Sequence, residues 1–89
     1  MWKRVLSDNR MGLPASKKRY ENLRLLLTKA REDAGLTQVE LGEKLGRPQS
    51  FVSKIERGVR SVDLIEFLEI AAAVGLDPAK FIKKLNSLK

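Results

Sequence analysis

Residues 37 to 58 read TQVELGEKLGRPQSFVSKIERG. Thr37 is a good helix N-cap, and Glu40 three residues on completes the reciprocal capping pair that satisfies two free N–H groups. A helix is therefore expected from about Gln38 to Leu45, with Val39, Leu41 and Leu45 inward. Gly46 ends it, because a residue without a β-carbon can turn the chain left-handed at no steric cost. Pro48 stands at or beside the next start, where its missing N–H costs nothing. The next helix is expected from about Gln49 to Arg57, with Val52 and Ile55 inward and Phe51 intermediate, closed by Gly58. Two amphipathic segments of about two turns thus meet around one glycine. Neither is stable alone in water, so neighbouring helices must hold both.

The flanking sequence supplies those neighbours. Upstream, Leu23, Leu26, Leu27, Ala30 and Ala34 form one apolar stripe, predicting a helix over about 16–34 stopped by Gly35. Downstream, a fourth helix is expected from Val62 or Asp63 to Val74. Leu64, Phe67, Leu68, Ile70, Ala71 and Val74 are its apolar face, and Glu66 and Glu69 its solvated face. Asp77-Pro78 then opens a fifth helix with Phe81, Ile82 and Leu85 on one side. No strand pattern, repeat or low-complexity tract interrupts this. The fold class is all-α, with five helices and short links in one domain over 17–89. Residues 1–16 read as a flexible basic arm: Trp2, Val5 and Leu6 are too few for a core, and Met11 is an alternative start.

Composition narrows the function. The 89 residues include no Cys and no His, so disulfides, thiolate zinc sites and histidine catalysis are excluded, and no cofactor or metal is expected. The acids are spread over helix surfaces without a catalytic constellation, so the chain does not read as an enzyme. No apolar run approaches the roughly 18 residues of a membrane helix, and the start lacks the apolar segment of a signal peptide. The net charge of +7 is unevenly placed: +5 over residues 1–19, −1 over 20–75 and +3 over 76–89. Within the middle section, Lys44, Arg47, Lys54, Arg57 and Arg60 face only Glu56, a net of +4 over 44–60. A basic stripe on the quoted segment points to a polyanion partner, most simply nucleic acid.

The quoted segment now has a physical reading as a helix-turn-helix. Leu41 and Leu45 meet Val52 and Ile55, and Gly42 lies where the two helices cross most closely. That packing leaves Gln49, Ser50, Ser53 and Lys54 on the outer face of the second helix, with Arg57 near its end. An α-helix fits the major groove of B-DNA. There Gln pairs with adenine N6 and N7, Lys with guanine O6 and N7, and Ser with either edge. Gln38, opening the helix before, is placed to donate to a phosphate.

The same residues resemble the Cro/phage-repressor-like (xenobiotic-response-element) helix-turn-helix family. Gln38, Leu41, Gly42, Leu45, Gly46, Val52, Ile55, Glu56 and Gly58 fall where that family places them, and the likeness runs through AREDAGL at 30–36 and VDLIEFLEIAAAVGLDP at 62–78. The resemblance implies a five-helix, lambda-repressor-like DNA-binding domain. Its members are usually dimeric on a partly palindromic operator and regulate transcription, and the location implied is cytoplasmic, in a bacterium or phage. By position it makes Gln49, Ser50, Ser53 and Lys54 base-facing. Gln38, Arg47, Arg57 and Arg60 become phosphate or minor-groove contacts, and Arg31 and Glu56 a structural ion pair. With no second domain in this sequence, dimer contacts fall to Phe81, Ile82, Leu85 and Leu88, and the basic SKKR at 16–19 is an arm for the minor groove.

A repressor is the first expectation. The alternatives are an antitoxin that binds both operator and toxin, and a protein-interaction adaptor that uses the fold without operator specificity.

Overall fold

The computed structural model describes the backbone of residues 13–88 and the side chains of residues 17–88. Five helices follow in order: α1 Leu13–Asp33, α2 Gln38–Leu45, α3 Gln49–Glu56, α4 Leu64–Val74 and α5 Pro78–Ser87. No strand is present among the described residues.

Local chemistry sets most helix ends. The Thr37 hydroxyl accepts from Glu40 N at 3.0 Å and the Glu40 carboxylate accepts from Thr37 N at 2.9 Å. Asp63 and Glu66 repeat the arrangement at the start of α4, where the sequence spacing had not been read as a cap. Asp77 caps α5 ahead of Pro78. Gly46 turns the chain out of α2 at φ 67°, a left-handed conformation that other residues adopt only with strain.

α1 begins earlier than its periodicity predicts. Residues 13–16, assigned to the arm, are helical, and Pro14 sits in the first turn, where its missing N–H is harmless. The SKKR segment is therefore part of α1 rather than an arm, and Arg19 Nη2 donates to Asn86 Oδ1 at 2.6 Å, tying α1 to α5. The rest of the expected arm, residues 1–12, lies outside the described residues.

The core is a single cluster: Leu27 from α1, Leu41 from α2, Phe51, Val52 and Ile55 from α3, and Phe67 and Ile70 from α4. Leu23, Leu36, Leu45, Val62, Val74 and Phe81 pack around it. The two helices of the motif cross at Gly42, where an added β-carbon would lie 2.8 Å from the Arg47 carbonyl oxygen. A backbone contact that close admits only glycine without displacement of α3.

Several expected core positions are exposed. Ala34 lies beyond the end of α1, and Val39 faces solvent on α2. Leu64 and Leu68 share an exposed stripe with Ile65, because the inward sector of α4 is already filled by Phe67, Ile70, Ala71 and Val74. Phe51, expected to be intermediate, is buried.

Candidate nucleic-acid interface

α3 turns Phe51, Val52 and Ile55 into the core, so Gln49, Ser50 and Lys54 are outward by helical spacing, and all three are exposed. Arg57 follows on the same side and donates from Nε to Ser53 Oγ at 3.2 Å. Ser53 lies on this same outward face, half-buried, with its Oγ accepting from Arg57.

One flank of this face is closed by a hydrogen-bonded chain running back to α1. Arg31 grips Glu56 with two contacts, Nε to Oε2 at 2.7 Å and Nη2 to Oε1 at 3.0 Å, and spends Nη1 on the Leu36 carbonyl at 2.7 Å. Arg24 donates to the Glu56 backbone carbonyl at 3.1 Å. The Arg31 and Glu56 side chains are only 11% and 9% exposed. The Glu56 hydrogen bond raises the Arg31 pKa above its ordinary value. Gln38 donates from Nε2 to Glu56 Oε1 at 2.9 Å, and its Oε1 accepts from Gln49 Nε2 at 3.2 Å. Gln38, expected at a phosphate, is half-buried and links the ion pair to the first outward residue of α3.

The other flank is cationic. Arg47, in the turn before α3, and Arg60, in the linker after it, place their guanidinium carbons 4.5 and 4.6 Å from the centroid of the Phe51 ring. Both are cation–π contacts on a residue of α3 itself. Arg60 also pairs with Glu66 through two contacts, Nη1 to Oε1 at 2.8 Å and Nη2 to Oε2 at 2.7 Å, and donates to the Ser61 carbonyl. Arg47 approaches Glu66 and Glu69 only to 3.6 and 3.9 Å, too far for hydrogen bonds.

Glu66 is not the solvated residue its sequence position suggests. It is 8% exposed and is the buried charged residue among the described ones. The paired Arg60 guanidinium, then the Asp63 backbone N–H, push its carboxyl down to about 2. The Asp63-x-x-Glu66 spacing is a capping signal that finds this residue. Nothing in the spacing of Phe51 announces a ring with two arginines over it.

The proposed dimer residues divide. Phe81 packs on Phe67 with ring centroids 5.2 Å apart and planes tilted by 49°, against the core cluster, and Leu85 is half-buried. Ile82 and Leu88 are exposed, but the larger exposed apolar surface is on Val59, Leu64 and Ile65, each 64% accessible.

Comparison with known proteins agrees with this geometry. Residues 27–81, more than half of the chain, match the family model described as Helix-turn-helix. The Sinorhizobium fredii protein described as an uncharacterized HTH-type transcriptional regulator, y4dJ, is 35% identical over 52 residues, 58% of this chain and 68% of that protein. The solved structure of an XRE-family like protein from Pseudomonas syringae pv. tomato superposes with a TM-score of 0.80 at 46% identity, covering 83% of this chain and 90% of the other. The restriction–modification controller protein C.Esp1396I shares the fold at a TM-score of 0.70 and 22% identity, over 76% of this chain and 90% of that one. A variant of it has been solved bound to its highest-affinity operator site. The chain therefore belongs to the XRE/Cro-like helix-turn-helix family of transcriptional regulators.

Proposed function

We propose that this protein is a sequence-specific double-stranded DNA-binding repressor that reads the major groove with α3. The observation that carries the reading is the outward set Gln49, Ser50 and Lys54 on a helix held along both flanks. Short polar side chains permit close approach to base edges, and a rigid carrier fixes their register. Gln49 is assigned to a base edge, with Ser50 and Lys54 beside it. Arg47 and Arg57, at the two ends of α3 and both exposed, are assigned to phosphates. Gln38 and Ser53 contribute to this surface through the residues they hold in place.

A two-fold pair of copies on a partly palindromic operator completes the reading, with half-sites roughly 34 Å apart, one helical turn. The exposed apolar stripe of Leu64, Ile65 and Leu68 supports a second copy as a partner.

Selection of binding sites from random duplex DNA at about physiological salt tests the proposal. A palindromic consensus is the expected result. Failure to enrich any sequence removes base reading, and direct association with a co-expressed protein then becomes the leading function. On a selected site, Gln49→Ala is expected to lose about 1–3 kcal/mol and to relax one base-pair position.

A further inference from the structure

Glu66 occupies an unusual position among the charges around α3. Its carboxylate caps α4, pairs through both oxygens with Arg60, and lies within 4 Å of Arg47. Arg60 comes from the linker after α3 and Arg47 from the turn before it, and both stack on Phe51. One carboxylate on α4 thus engages the basic side chains on both sides of α3. The two arginines are not held alike. Arg60 directs Nη1 and Nη2 at Glu66 and the Ser61 carbonyl, leaving only its outer edge free. The Arg47 guanidinium makes no hydrogen bond among the described residues and is available.

We propose that Glu66 restrains the sequence-independent affinity of this protein for DNA: it withholds the Arg60 guanidinium from phosphate and so weakens binding to duplex of any sequence. The inference rests on the reading of α3 as a DNA-reading helix. Non-specific affinity comes almost entirely from the number of phosphates that cations neutralise. A guanidinium engaged by a buried carboxylate adds little to that number, while base reading by Gln49, Ser50 and Lys54 is untouched. Neutralising part of the basic stripe from inside the protein lowers binding to all sequences alike, cognate sites included. Arg60, placed at a phosphate by the family resemblance, is by this argument held in reserve.

The test is Glu66→Gln in the full chain, measured on random-sequence duplex and on a duplex from the selection, over a range of salt. Gln at this position still accepts the Asp63 N–H, so the α4 cap is kept. Thermal melting followed by helical circular dichroism checks folding. The expected result on random duplex is roughly tenfold tighter binding at 0.1 M salt and a log–log salt slope steeper by about 0.9, the signature of one added phosphate contact. Binding to the selected duplex should tighten by a similar factor, with the same change of slope. An unchanged slope on random duplex, with a wild type that still discriminates, overturns the proposal. A wild type with equal affinity for both duplexes instead overturns the base-reading function beneath it. If Glu66→Gln does not fold, Arg60→Gln gives the same decision. With Arg60 withheld, that change leaves the random-duplex slope of the wild type as it was, and a slope shallower by about 0.9 overturns the proposal.

Discussion

Two arginine–glutamate pairs flank the same helix, and they are built differently. Arg31 and Glu56 are both nearly buried, the carboxylate standing on α3 and the guanidinium on α1. Arg24, Gln38 and the Leu36 carbonyl satisfy further groups around them. Arg60 and Glu66 have similar short contacts, but the cation is 37% exposed at the surface and only the carboxylate is buried. The first pair is closed on itself, and either member alone would leave an uncompensated buried charge. The second is open on one side, where an outside anion can compete for the arginine. Identical chemistry thus fixes α3 on one flank and tunes its charge on the other.

The largest test of this contrast breaks the closed pair. Arg31→Ala leaves Glu56 without its principal partner and is expected to cost about 3–5 kcal/mol in urea unfolding. A loss below about 1 kcal/mol would mean that the two pairs are alike after all. Next is Gln38→Ala, which removes one donor to Glu56 and the acceptor of Gln49. About 1 kcal/mol of stability is expected to go, with weaker binding to a selected duplex, and gel-shift titration beside unfolding separates the two effects.

Acid sharpens the comparison from the other side. Glu66 titrates at about 2 in the folded chain against an ordinary value of 4.5. A carboxylate lowered on folding stabilises above its unfolded value, and that contribution disappears as pH falls through the folded value. Stability should therefore drop between about pH 4.5 and pH 2, and Glu66→Gln should flatten the drop in that window. A drop of the same size in the variant assigns the acid sensitivity to other carboxylates. The smallest effect belongs to Lys29 and Asp33, an exposed pair on α1 at 3.3 Å. Lys29→Ala should move stability by less than about 0.5 kcal/mol, because solvent and side-chain freedom offset such a pair.

The two pairs also mark how far the sequence could be read. Helix order, the crossing at Gly42, the boundaries of α2 and the start of α5 were legible, because each is announced within a few residues by a cap, a glycine or a proline. The start of α1 was not, because Pro14 is as compatible with a helix's first turn as with a loop. Arg31–Glu56 spans 25 residues, and no periodicity pairs two charges at that distance. It was reached only through the family pattern. Glu66 was placed in solvent because a charge on an amphipathic helix usually belongs there. Its burial is supplied by Arg60 and Arg47, from a linker and a turn that helical spacing does not describe. The apolar stripe of α4 failed for the converse reason. Leu64 and Leu68 look like core residues until Phe67 and Ile70 are seen to fill the space.

The chain from Arg31 through Glu56 and Gln38 to Gln49 also has a thermodynamic consequence. A carboxylate only accepts, so Gln38 must turn its amino group to Glu56 and its carbonyl to Gln49. Gln49 in turn keeps its Oε1 and one Nε2 hydrogen unengaged among the described residues, the acceptor-and-donor pair that an adenine edge requires. A free surface glutamine would lose its rotamer entropy on docking, about 0.5–1.5 kcal/mol for a side chain of that kind. Here much of that loss falls on folding instead, and the polarity of an amide on α3 is set by an arginine on α1.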